Sequence, residues 1–221
     1  MTMKIIRSQR RTVSLEITDE GELLVRAPEK MSRAELETVL ERHRRWITRK
    51  MALVQQRINV VSRNYQPGEK FLYLGQKYPL RLKEGQGIRA GFDGQTFWLT
   101  EKARFGARML FEKLYRKMAR EYLSKRLDLL SRKHGLGYKK FRLSSARRRW
   151  GSCSARGTIS LNWRLIMAPP EIVDYVILHE LAHLKVRSHS PAFWSLLSRY
   201  IPDYQIKRKW LKENGFRLNL I

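Results

Sequence analysis

Residues 179–189 read HELAHLKVRSH, and three of the chain's five histidines fall inside that run. His179 and His183 are four residues apart. On a helix, that spacing puts both imidazoles on one face, one turn apart. Both can then reach a single cation at the zinc–nitrogen distance of about 2.0–2.1 Å. Glu180 directly follows the first histidine. A carboxylate placed there can take a proton from water that the cation has acidified, which is the mechanism behind the H-E-x-x-H pattern. The bare pattern recurs by chance, so its surroundings must add weight. Ile172, Val173, Val176, Ile177, Leu178, Leu181, Ala182 and Leu184 make the segment 171–186 apolar on most sides, which predicts a buried helix. Two histidines and a glutamate inside such a helix need a reason.

The third histidine, His189, lies six residues beyond His183. Ser190-Pro191 reads as the N-cap and first position of a further helix over residues 191–200. The chain therefore turns right after the motif, and a turn there can carry a third imidazole back to the cation. Three protein ligands with one open position define a catalytic zinc site, whereas a structural site is closed by four. The expectation is one Zn²⁺ per chain on His179, His183 and His189, with Glu180 as general base in peptide-bond hydrolysis. The developing oxyanion needs a further donor. Tyr175, Tyr200, Tyr204 and the arginines 147–149 are candidates, with Arg149, Tyr175 and Tyr204 carried forward. His43 and His134 lie in basic helical surroundings and read as surface residues.

The elements that must position these residues alternate strands with long helices. Val13 to Thr18 and Glu22 to Ala27 predict a strand pair about Asp19-Glu20-Gly21. Ser32 and Glu35 match a capping box, opening a helix to about residue 57. Phe71 to Leu82 predicts paired strands around Gly75, and Ile88 to Thr100 a hairpin about Asp93-Gly94. A long helix follows over residues 103–133, with a stripe of Leu110, Leu114, Met118 and Tyr122 flanked by Phe111, Tyr115 and Leu127. Strands are predicted at 141–145 and 158–163, and Pro169-Pro170 opens the helix that carries the motif. The stretch 149–163 leads directly into that helix, and a strand just before it could be a sheet edge that accepts an extended peptide or an ordinary hairpin of the core. The fold class is α+β, with a β-rich N-terminal module over residues 1–100 and the catalytic domain over 101–221.

Composition narrows the setting. The 221 residues suffice to bury a sizeable core, and 43% are hydrophobic. A single cysteine, Cys153, rules out a disulfide within the chain and a cysteine zinc finger. The lack of an apolar run of spanning length and of a signal-peptide core leads to the expectation of a cytoplasmic protein without membrane association. Lys plus Arg is 46 against 20 Asp plus Glu, for a net charge of +26. The excess is spread along the chain, at +5 over residues 1–60, +12 over 61–140 and +9 over 141–221. Such a surface attracts polyanions, nucleic acid among them.

The string RWGSCS…GTISLNW…YVILHELAHL…HSPAFW resembles the YgjP-like metallopeptidases, relatives of the SprT and WLM zinc proteases. The resemblance spans nearly the whole chain, and its specific part is residues 149–194. It implies a compact zincin-like domain, its motif helix packed on a small sheet and the long helix, with the three histidines as zinc ligands and Glu180 as base. The wider clan includes proteases that act on DNA-associated proteins, so polypeptide is the expected substrate and nucleic acid a candidate partner. The spacing also fits metzincins, but their turn glycine would fall at Val186, which excludes that class. Two other readings compete: a metal-dependent nucleotide pyrophosphatase or phosphohydrolase in which arginines 147–149 clamp phosphates, and a basic nucleic-acid-binding module with a structural metal.

Overall fold

The computed structural model describes residues 3–18, 21–61, 63–87, 89–146 and 148–219. Among them are six α-helices and three small sheets, an α+β architecture. The chain divides into two compact units, Met1–Ser62 and Arg63–Ile221.

In the first unit, β1 (Met3–Ser8) pairs parallel with β3 (Leu23–Pro28), and β2 (Ser14–Ile17) pairs antiparallel with the other edge of β3. β3 alternates buried and half-buried residues, so Leu23, Val25 and Ala27 form the centre of a small core with Leu36 and Ile47. The capping box is present: Glu35 N donates to Ser32 Oγ and Ser32 N to Glu35 Oε2. The single helix expected to residue 57 is two, α1 (Arg33–Arg42) and α2 (Arg44–Val61), separated at His43. The His43 N–H donates back to α1 carbonyls, and its Nδ1 lies 2.9 Å from Val39 O. These bonds cap α1 where periodicity alone runs on.

The second unit begins with a sheet of order β4-β5-β7-β6: β4 (Lys70–Tyr73), β5 (Gln76–Lys83), β6 (Ala90–Phe92) and β7 (Phe97–Thr100). β5 and β7 run parallel, while the other pairs are antiparallel. The β4–β5 turn needs left-handed backbone at Leu74 (φ 48°) and Gly75 (φ 81°), a demand glycine meets without strain. Its two N–H groups donate to Ile166 and Met167 carbonyls, tying the hairpin to the segment that enters the motif helix. α3 (Ala107–Lys133) buries Phe111, Tyr115, Ala119, Leu123 and Leu127. The flanking positions Leu110, Leu114, Met118 and Tyr122 are only partly buried, so the deepest stripe lies one position along from the one the sequence suggested.

Phe71, Leu80, Phe97 and Leu99 share one core with Phe111 and Tyr115; Phe71 and Phe111 stand 4.5 Å apart between ring centroids. This packing joins the strands of residues 70–100 to the helix after them. The division therefore falls after residue 62, and the boundary expected near residue 100 runs through the middle of a core.

β8 (Lys140–Ser144), β9 (Gly151–Cys153) and β10 (Thr158–Asn162) form the third sheet in the order β8-β10-β9, which leaves β9 at an edge. A 3-10 turn, Trp163–Met167, then leads to α4 (Pro170–Ala182). α4 packs against α3, β9 and β10. Arg126 on α3 grips Asp174 on α4 with two bonds of 2.6 and 2.5 Å. The pair is partly exposed, so Asp174→Ala is expected to cost about 1 kcal/mol, read as a lower urea midpoint with an unchanged slope. α5 (Pro191–Tyr200) and α6 (Tyr204–Asn214) complete the unit, and α6 packs on α4. No described helix is long and apolar enough to cross a membrane.

Candidate metal centre

α4 ends at Ala182, four residues short of the sequence expectation, and His183 is its C-cap. Ending the helix there lets the chain turn back at once and bring His189 to the other two histidines. His179 and His183 are half-buried and His189 is exposed. Their candidate ligand nitrogens all lie within 4.8 Å of one another, and the Nε2 atoms of His179 and His189 are 3.0 Å apart. Two nitrogens bound tetrahedrally at about 2.0–2.1 Å would stand about 3.3 Å apart, so the His179–His189 pair is near the spacing a zinc ion requires.

The protonation of the rings also fits a cation. His183 Nδ1 lies 3.0 Å from Val186 O. A carbonyl can only accept, so Nδ1 carries a proton and Nε2 is the nitrogen left to face a metal. Burial, then the neighbouring His183 and His189, pull the His179 pKa down to about 3, and burial lowers that of His189. Both imidazoles stay neutral, the form that ligates. Among the described residues, these three form a cluster with the chemistry of a metal centre.

Aromatic side chains from α5 hold the rings. Phe193 stacks on His183 at 4.5 Å and meets His179 edge-on at 4.9 Å. Trp194 stacks on His189 at 5.5 Å and donates its Nε1–H to His189 O at 3.1 Å. Trp194 is backed in turn by Tyr204 at 5.3 Å and by the Arg208 guanidinium at 4.9 Å.

Glu180 is buried, at 6% exposure, and burial pushes its pKa up to about 7 against the opposing pull of Arg149. Its side chain lies against the backbone of β9. A Cβ added at Gly151 would sit 2.6 Å from both Glu180 Cγ and Oε1. No side chain is tolerated there without moving the carboxylate. With Glu180 as the general base expected from the sequence, Gly151→Ala should leave metal affinity within about twofold and lower kcat by about 10- to 100-fold, since a displaced base loses most of its advantage. Metal titration and steady-state kinetics on the same preparation check it.

These residues line a cleft of about 560 Å³ that also takes in Arg149, residues 150–154, Tyr175 and Arg187. Of the proposed oxyanion donors, Tyr175 and Arg149 face the cleft, while Tyr204 is stacked behind Trp194. Tyr200 pairs with His134 at 4.7 Å, and Arg147 lies outside the described residues. Cys153 lines the cleft as a free thiol raised in pKa by burial.

Two positions in the site went unread in the sequence. Gly151 is one. The other is Asn162, buried at 3% exposure, whose Nδ2 donates to Ala146 O (2.7 Å) and Arg149 O (3.3 Å) while its Oδ1 accepts from Arg164 N. It pins the loop that presents Arg149. Both roles are tertiary contacts; their only trace in the sequence is a glycine and an asparagine inside strand-like patterns.

Against known families, residues 11–214 match the model described as YgjP-like, metallopeptidase domain. The chain belongs to this family. It carries a metallopeptidase domain, a hydrolase acting on polypeptides. Comparison with the curated proteins found no match. Among solved structures, the metallopeptidase zymogen of Pyrococcus abyssi abylysin is 24% identical with a TM-score of 0.37, covering 41% of this chain and 93% of that one. The zymogen of Methanocaldococcus jannaschii jannalysin is 20% identical with a TM-score of 0.35, covering 39% and 92%.

Proposed function

We propose that this YgjP-like domain is a zinc-dependent peptidase in which His179, His183 and His189 hold the metal and Glu180 is the general base. The observation that carries the reading is the convergence of three imidazoles beside a buried carboxylate on the residue next to His179. Zinc, when bound, supplies a Lewis acid that acidifies water and polarises the scissile carbonyl. Glu180, wedged against Gly151, accepts the water proton and returns it to the leaving amine. Tyr175, one turn before His179 and with its ring 5.9 Å away, donates its hydroxyl to the oxyanion. The outer edge of β9, without a strand partner among the described residues, lines the cleft and offers main-chain bonds to an extended substrate.

Incubating the zinc-loaded protein with an unfolded polypeptide and identifying the new termini by mass spectrometry tests the reading. New amino termini are the expected result, and an intact substrate contradicts it. The finer proposal, that substrates include nucleic-acid-associated proteins, is supported by the net charge of +26. It predicts faster cleavage when single-stranded DNA is added, an effect that fades with salt. A rate indifferent to DNA at low salt counts against it. The phosphohydrolase reading has less support, since Arg149 is the one described member of its arginine trio that lines the cleft.

A further inference from the structure

The cleft is electrostatically one-sided. Its lining contains two guanidiniums, Arg149 and Arg187, and one carboxylate, Glu180, which the chemistry already employs. The arginines bracket the edge strand. Arg149 precedes β9 by two residues, beside Glu180 and Gly151. Arg187, in the loop after α4, donates to Ala155 O at 3.1 Å, two residues beyond the far end of β9. That bond fixes the Arg187 head and leaves the remaining N–H groups of its fork free in geometry to meet a carboxylate. Neither arginine forms an ion pair among the described residues. A side chain of a β9-paired peptide would pass one or the other guanidinium.

Resting on the peptidase reading above, we infer that Arg149 and Arg187 select acidic side chains on either side of the scissile bond, so that the substrate class is polypeptide rich in Asp and Glu.

The test reads binding and turnover separately. Fluorescein-labelled decapeptides, identical except for Glu, Gln or Lys at their third and ninth positions, are titrated against the zinc-loaded Glu180→Gln protein at physiological ionic strength. Those positions are six apart, as are residues 149 and 155. The Glu peptide is expected to bind about 10-fold or more tightly than the Gln peptide, with the Lys peptide weakest. Arg149→Gln and Arg187→Gln should each remove about 10-fold of that preference. The double variant Arg104→Gln/Arg108→Gln, outside the cleft lining, controls for overall charge and should retain it. Equal binding of the Glu and Gln peptides overturns the inference, as does a control that loses as much as the cleft variants. Turnover of the same peptides by the zinc-loaded wild type is scored independently. Selective binding without cleavage supports the acidic subsites and sinks the peptidase reading; cleavage without selectivity does the reverse.

Discussion

Glu180→Gln should hold zinc as the wild type does and lose about 10²- to 10⁴-fold in kcat, the usual worth of a positioned general base. The substitution keeps the shape of the side chain, so its contact with Gly151 and the neighbouring histidines survive. It removes the group proposed to accept the proton. It should not destabilise the fold. Glu180 is buried, and burial already opposes its charge, raising its pKa to about 7; a neutral amide relieves that opposition. The expected signature is unchanged zinc stoichiometry, an equal or higher Tm, and a collapsed kcat with little change in KM. Retained turnover would remove Glu180 from the chemistry. Loss of zinc together with turnover would move it into the ligand set.

His179→Ala should act at the earlier step. The imidazole stands 5.0 Å from each of the other two rings, and as a proposed ligand its loss would take away a donor that the remaining pair cannot replace. Zinc affinity should fall by at least about 100-fold, more than the 10- to 100-fold typical of groups that merely orient ligands. The consequence extends to stability. With zinc at about a thousandfold excess over its Kd, binding to the folded state adds about 4 kcal/mol, which for a chain of this size is about 10 °C in Tm. The wild type should show that shift on adding zinc, and His179→Ala should show almost none. Differential scanning fluorimetry with and without zinc measures it. A full shift in the variant would place the metal elsewhere.

The legible parts of this molecule were local. The H-E-x-x-H spacing on an apolar segment predicts α4 with His179 inside it and His183 at its end, and Ser190-Pro191 predicts the turn that brings His189 back. The Ser32–Glu35 capping box and the glycine-centred hairpins follow from short-range hydrogen-bonding rules. What escaped depends on distant partners. β1 is a strand because β3 lies parallel beside it, a pairing that its own sequence does not encode. α6 buries no residue fully; Tyr204, Trp210 and Leu211 are only partly covered by the core, and which face they meet depends on α4. α4 stops at Ala182, although Leu184 and Val186 continue the apolar pattern, and the chain closes into a turn with Val186 N donating to Ala182 O and His183 Nδ1 bonded to Val186 O. The closeness of Gly151 to Glu180 exists only once β9 is laid against α4.

The measurement closest to the central claim is chelation and reconstitution of cleavage. The protein is stripped of metal, assayed on an unfolded polypeptide, and titrated with zinc while product is followed. The account predicts no cleavage by the stripped protein and a linear return of activity that saturates at one zinc per chain. Cleavage that survives complete removal of metal, or one bound zinc per chain with no cleavage at any concentration, would contradict it.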